Sequence, residues 1–98
     1  MLPEFFERAQ RDDRIGVCHV AIYAALYYLW QNNHCVDPVS ITRQQVMRLA
    51  KIKRTVYHEC VKDLHEWGYV KYVPSYHPVL GSLVYLNNMN SASCDITL

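Results

Sequence analysis

The chain has little glycine. Gly16, Gly68 and Gly81 are its only three, too scattered for a glycine-rich phosphate loop. No serine sits in a nucleophile elbow, and none of the histidines His19, His34, His58, His65 and His77 falls in an HExxH pair. With these motifs missing, the chain is not expected to be an enzyme. The four cysteines, Cys18, Cys35, Cys60 and Cys94, match neither a CxxC nor a zinc ribbon. His34/Cys35 and His58/Cys60 fall short of four convergent ligands, so no metal and no cofactor are expected. The thiols read instead as small apolar fillers kept reduced in a cytosol. There is no run of about 18 apolar residues, so no membrane span is expected. The first residues, MLPEFFERAQRDDR, carry acids and lack the basic-then-apolar order of a secretory signal, so a cytoplasmic location is expected. No motif points to a small-molecule ligand.

What is present is apolar surface and a local excess of positive charge. Ninety-eight residues suit one domain, and a chain this short needs its apolar share of 51% to build a core. The formal net charge is only +1, but it is unevenly spread. Residues 43–71 hold Arg43, Arg48, Lys51, Lys53, Arg54, Lys62 and Lys71 against Glu59, Asp63 and Glu66, a net of +4. Residues 1–42 hold Arg8, Arg11 and Arg14 against Glu4, Glu7, Asp12, Asp13 and Asp37, a net of −2.

The pattern of elements follows. Pro3 to Gln10 suits a short helix with Phe5, Phe6 and Ala9 on one side. Ile15 to Gln31 suits a long one: Val17, Val20, Ala21, Ala24 and Tyr28 recur at helical spacing, and Ile22, Leu26, Leu29 and Trp30 widen the stripe. After a loop at 32–38, Val39 to Ile41 suits a very short strand. Thr42 with Gln45 three residues on is a capping box, and Ile41 with Val46 a hydrophobic staple. The helix they open presents Val46, Leu49 and Ala50 inward and ends near Ala50 or Lys51. A second helix over 54–67 has a core face of Tyr57, Cys60, Val61 and Leu64, and Gly68 stops it. Tyr69 to Val73 and Ser82 to Leu86 are rich in strand formers and flank a loop at 74–81.

The run KRTVYHECVKDLHEWGYVKY resembles the recognition helix and first wing strand of winged helix-turn-helix proteins, and ITRQQVMRLAKI resembles the helix and turn that brace it. Lys53, Arg54 and Thr55 stand at the polar helix start, Tyr57, Val61 and Leu64 in the core slots, and Gly68 before the strand. The chain looks like the small stand-alone bacterial proteins of this class. The resemblance covers about Ile15 to Leu86. It implies an α+β winged helix-turn-helix: a three-helix core with a β-hairpin wing, preceded by a short N-terminal helix. The division is then 1–13 as N-terminal helix or arm, 14–86 as the winged domain and 87–98 as a C-terminal tail.

That class implies sequence-specific binding of double-stranded DNA, in regulation of transcription, with the helix at about 54–67 in the major groove. Arg54, Thr55 and His58 would reach base edges. Arg43, Gln44, Lys53, Lys62, Lys71 and Tyr76 would contact the backbone. The loop at 74–81 has no Lys or Arg to serve as a basic wing tip. Two alternatives stay open: a protein-interaction winged helix without DNA binding, and a DNA-binding module of replication or mobilisation. A homodimer is also expected, since the apolar surface of Phe5, Phe6 and the long helix exceeds what a hairpin and two helices should need to cover. Light scattering at micromolar concentration tests this. Twice the chain mass of 11.5 kDa supports the dimer, and a mass near 11.5 kDa across the range removes it.

Overall fold

Residues 2–74 and 81–86 are described by the computed structural model. They form α1 (Leu2–Ala9), α2 (Val17–Asn32), β1 (Val39–Ile41), α3 (Arg43–Ala50), α4 (Arg54–Glu66), β2 (Lys71–Val73) and β3 (Ser82–Tyr85). The described chain is thus α+β, with four helices and one antiparallel three-stranded sheet ordered β1-β3-β2. Residues 75–80 and the tail at 87–98 lie outside the described part, and so does Tyr76.

Helix α2 runs through the centre of the core and packs on α3, α4 and β1. Its inward face is His19, Ile22, Tyr23, Ala25, Leu26 and Trp30. This corrects the expected stripe: Val17 is 85% exposed, and Ala24 and Tyr28 also face outward. Both sets obey helical spacing, and α2 is apolar nearly all round, so periodicity could not choose between them. The same correction applies to α3. Val46 is fully buried and Met47 and Ala50 pack against the core, but Leu49 is 43% exposed.

In the sheet β3 stands between β1 and β2. Tyr72 pairs with Val84 and Val84 with Val39, so buried Val39 and Val84 meet on one face. Gly81 leads into β3 with φ +71, and a Cβ there would stand 2.2 Å from the Ile41 carbonyl oxygen. Only glycine permits the chain to pass so close to β1. Asp37 ties the other end: one oxygen accepts from Trp30 Nε1 (2.8 Å) and from the Leu86 amide (3.1 Å).

Helix α1 docks onto this frame rather than standing apart. Phe5 is fully buried, stacked on Tyr23 (centroids 3.9 Å, planes 9° apart) and edge-on to Tyr69. The expected joint face of Phe5, Phe6 and Ala9 is therefore split, with Phe6 47% exposed. Phe5 is thus covered within one chain, which removes part of the surplus on which the dimer expectation rested. Behind α1, Asp12 gathers a polar cluster. Its carboxylate takes two bonds of 2.8 Å from the Arg14 guanidinium and one of 2.9 Å from the Tyr69 hydroxyl. The Arg14 bonds hold the Asp12 carboxyl well below the usual carboxylate range. A depressed carboxyl stabilises the fold above its unfolded value of about 3.9, and the contribution drains away as pH falls toward the folded value. Asp12→Asn should therefore lower the melting temperature at about pH 7. The deficit relative to the parent should narrow by about pH 2.5 in parallel thermal melts. A deficit of constant size would contradict this role.

Candidate nucleic-acid interface

The helix pair α3–α4 is delimited by local chemistry. Thr42 Oγ1 accepts from the Gln45 amide (3.2 Å), and Gln45 Oε1 accepts from the Thr42 amide (2.9 Å), closing the capping box. Ile41 and Val46 are both buried, as a staple requires. At the end of α3, Lys51 adopts a left-handed conformation (φ 60, ψ 47), which costs a non-glycine residue roughly 1–2 kcal/mol. Residues 51–53 form the turn, and Lys53 is the N-cap of α4, with no side-chain cap bond. Gly68, at φ +81, closes α4: its amide bonds to the His65 carbonyl and the Tyr69 amide to that of Leu64.

Packing fixes which side of α4 faces out. Tyr57, Cys60, Val61 and Leu64 are buried. Burial pushes the Cys60 thiol up to about 11, so it stays protonated as an inert filler. From α2, His19 reaches Asp63. Its Nδ1 accepts from the Gly16 amide (2.9 Å), so the ring hydrogen lies on Nε2, which donates to Asp63 Oδ2 at 2.9 Å. From α1, Arg8 donates to the carbonyls of Trp67 and Gly68, the negative end of α4, while its guanidinium lies 4.1 Å over the Tyr69 ring. Arg14 covers the Trp67 ring at 4.4 Å. None of these ties was visible in the sequence, because each joins residues far apart in the chain.

The residues expected to form the site are then placed as follows. Arg54, Thr55 and His58 are all exposed on the first half of α4. Arg54, His58 and Lys62, spaced by four, make one row along the helix. Lys53 and Gln44 are exposed, Arg43 is half-buried with its charge near the Tyr57 hydroxyl, and Lys71 stands on β2 with Nζ 5.4 Å over the Tyr85 ring. Glu59 and Glu66 flank the row, and Glu66 makes a loose pair with Lys62 (4.0 Å). Two further exposed cations, Arg48 and Lys51, were missed as site residues. Their place inside the basic run at 43–54 was the available signal. Among the described residues, the ion pairs leave Arg43, Arg48, Lys51, Lys53, Arg54 and Lys71 unmatched.

The charge at the two helix starts runs against the helix dipole. The first turn of each helix favours acids, yet neither α3 nor α4 has one there. Arg43 opens α3, and Lys53 and Arg54 open α4, beside amides that no side chain caps at α4. Unmatched cations and free helix-start amides together make a surface suited to anions.

Between α4 and β2 lies a cavity of about 280 Å³, lined by Tyr57, His58, Val61, Lys62 and His65 of the helix and by Tyr72 and Pro74. No sequence motif announced it. Among the described residues, no three His, Cys, Asp or Glu side chains converge as metal ligands. No helix among them is long and apolar enough to cross a membrane. No family model, curated protein or solved structure matches the chain. The cap at Thr42 sets the position of Arg43 and Gln44. Thr42→Ala should cost about 1 kcal/mol in urea unfolding, whereas Thr42→Ser should cost less than half of that.

Proposed function

We propose that this chain is a winged helix-turn-helix protein that binds double-stranded DNA sequence-specifically to regulate transcription. In this reading α2, α3 and α4 are the three-helix core, α3 and α4 with their turn are the helix-turn-helix, and the β2–β3 hairpin is the wing. Helix α4 enters the major groove. Arg54, Thr55 and His58 meet base edges, while Arg43, Gln44, Lys53, Lys62 and Lys71 hold phosphates and set the register.

The observation that carries the reading is the cationic start of both helices. Positive side chains at Arg43, Lys53 and Arg54 oppose the helix dipoles and have no carboxylate partner among the described residues. Left alone, each such placement costs a few tenths of a kcal/mol to about 1 kcal/mol. A polyanion lying across both helix starts reverses the sign of the effect. Lys51 adds a cation in a backbone conformation that glycine would adopt more cheaply.

The test separates base from backbone contacts. Arg54→Ala should weaken binding to a selected site by roughly 1–3 kcal/mol and relax its specificity. Lys62→Ala should weaken specific and non-specific binding alike and lower the salt slope by about one unit. If both variants bind duplex DNA as the parent does, the recognition face is not on α4.

A further inference from the structure

We propose that the cavity between α4 and β2 is a binding site for a small planar aromatic carboxylate. The site overlaps the DNA face of the proposed function at His58 and Lys62, but the inference stands on the cavity itself.

The size sets the occupant's scale. A volume of about 280 Å³ falls just below the range of about 300–1,000 Å³ typical of ligand sites, which suits one or two fused rings. The walls set its shape. The Tyr57 and Tyr72 rings, the His58 and His65 imidazoles, Val61 and Pro74 offer flat or apolar surface. The wall is also stiff. Tyr72 is held at both ends, its hydroxyl on Ser82 Oγ (2.9 Å) and its amide on His65 Nδ1 (3.0 Å). Such a prebuilt slot admits a flat ring at low cost in ordering.

The polar groups set the charge. Lys62 supplies an ammonium. Because His65 Nδ1 accepts the Tyr72 amide, that ring carries its hydrogen on Nε2 and is a donor there. Among the described residues, no Asp or Glu lines the cavity, so a cationic ligand would find no counter-charge there. Glu66 engages Lys62 only at 4.0 Å with both side chains more than half exposed, a pair too weak to hold the ammonium against a ligand. Among the described lining residues there is no arginine to grip a phosphate in two-pronged fashion, which favours a carboxylate.

The test titrates 2-naphthoate into the full chain, without DNA, and follows backbone amide shifts by NMR. Its neutral isostere 2-naphthamide and acetate serve as controls. Naphthoate should shift the amides of 57–65 and of Tyr72, with a submillimolar Kd, and neither control should match it. Lys62→Gln, a change on an exposed side chain, should weaken naphthoate about tenfold and leave the amide's weak binding unchanged. Absence of shifts, equal binding of acid and amide, or naphthoate affinity indifferent to Lys62→Gln would each overturn the assignment. Because no DNA is used, such a failure would leave the DNA reading where it stood.

Discussion

The outward face of α4 is set by what holds its inward face. Tyr57, Cys60, Val61 and Leu64 are buried as one stripe, and the helix cannot turn about its axis without pulling them into water. Burying an apolar side chain of this size is worth about 1.5–3 kcal/mol, far more than any single exposed charge contributes. Polar ties then act near the C-terminal end of the stripe. His19 grips Asp63 on one flank, and Arg8 satisfies the carbonyls where the helix ends. With the apolar side committed, Arg54, His58 and Lys62 have no choice of direction. The row they form follows from the core.

The strongest parts of the fold were legible because their signals are local. Thr42 and Gln45 announce α3, Tyr57 to Leu64 give the core face of α4, and Gly68 marks the stop, each within a few residues of what it controls. The three strands were legible too, down to the short β1, where Val-Ser-Ile alternates apolar and polar, but the pairing of β1 with β3 into one sheet shows only in the fold. What the sequence hid is long-range or symmetric. Helix α2 carries apolar residues on every side, so its buried face depends on which neighbours arrive. Leu49 is outward for a related reason: an eight-residue helix touches its neighbours through few positions. The Asp12–Arg14–Tyr69 cluster and the Arg8 clamp join residues that only the folded chain brings together. The exposure of Arg54, Thr55 and His58 could be inferred from the period of α4, but the cavity beside them could not, because it depends on how β2 leans against the helix.

The starts of α3 and α4 depart from what helix stability favours. A chain shaped for stability alone would place Asp or Glu in those first turns and glycine at position 51. This chain places Arg43, Lys51, Lys53 and Arg54 instead, and leaves them without carboxylate partners among the described residues. Local conflict is not confined to these helix starts, since His34 and Cys35 after α2 also hold positive φ. In the proposed reading, the departures at α3 and α4 serve a binding surface. The near-neutral total charge hides an uneven spread, a net of −2 over residues 1–42 against +4 over 43–71.

In the proposed reading, these cations meet a phosphate backbone. The salt dependence of duplex binding by the unaltered chain tests it most directly. Four cations, Arg43, Lys53, Lys62 and Lys71, are assigned to phosphates. A plot of log K against log salt concentration should therefore fall with a slope of about −4. A slope near zero, or no measurable duplex binding at low salt, would contradict the account.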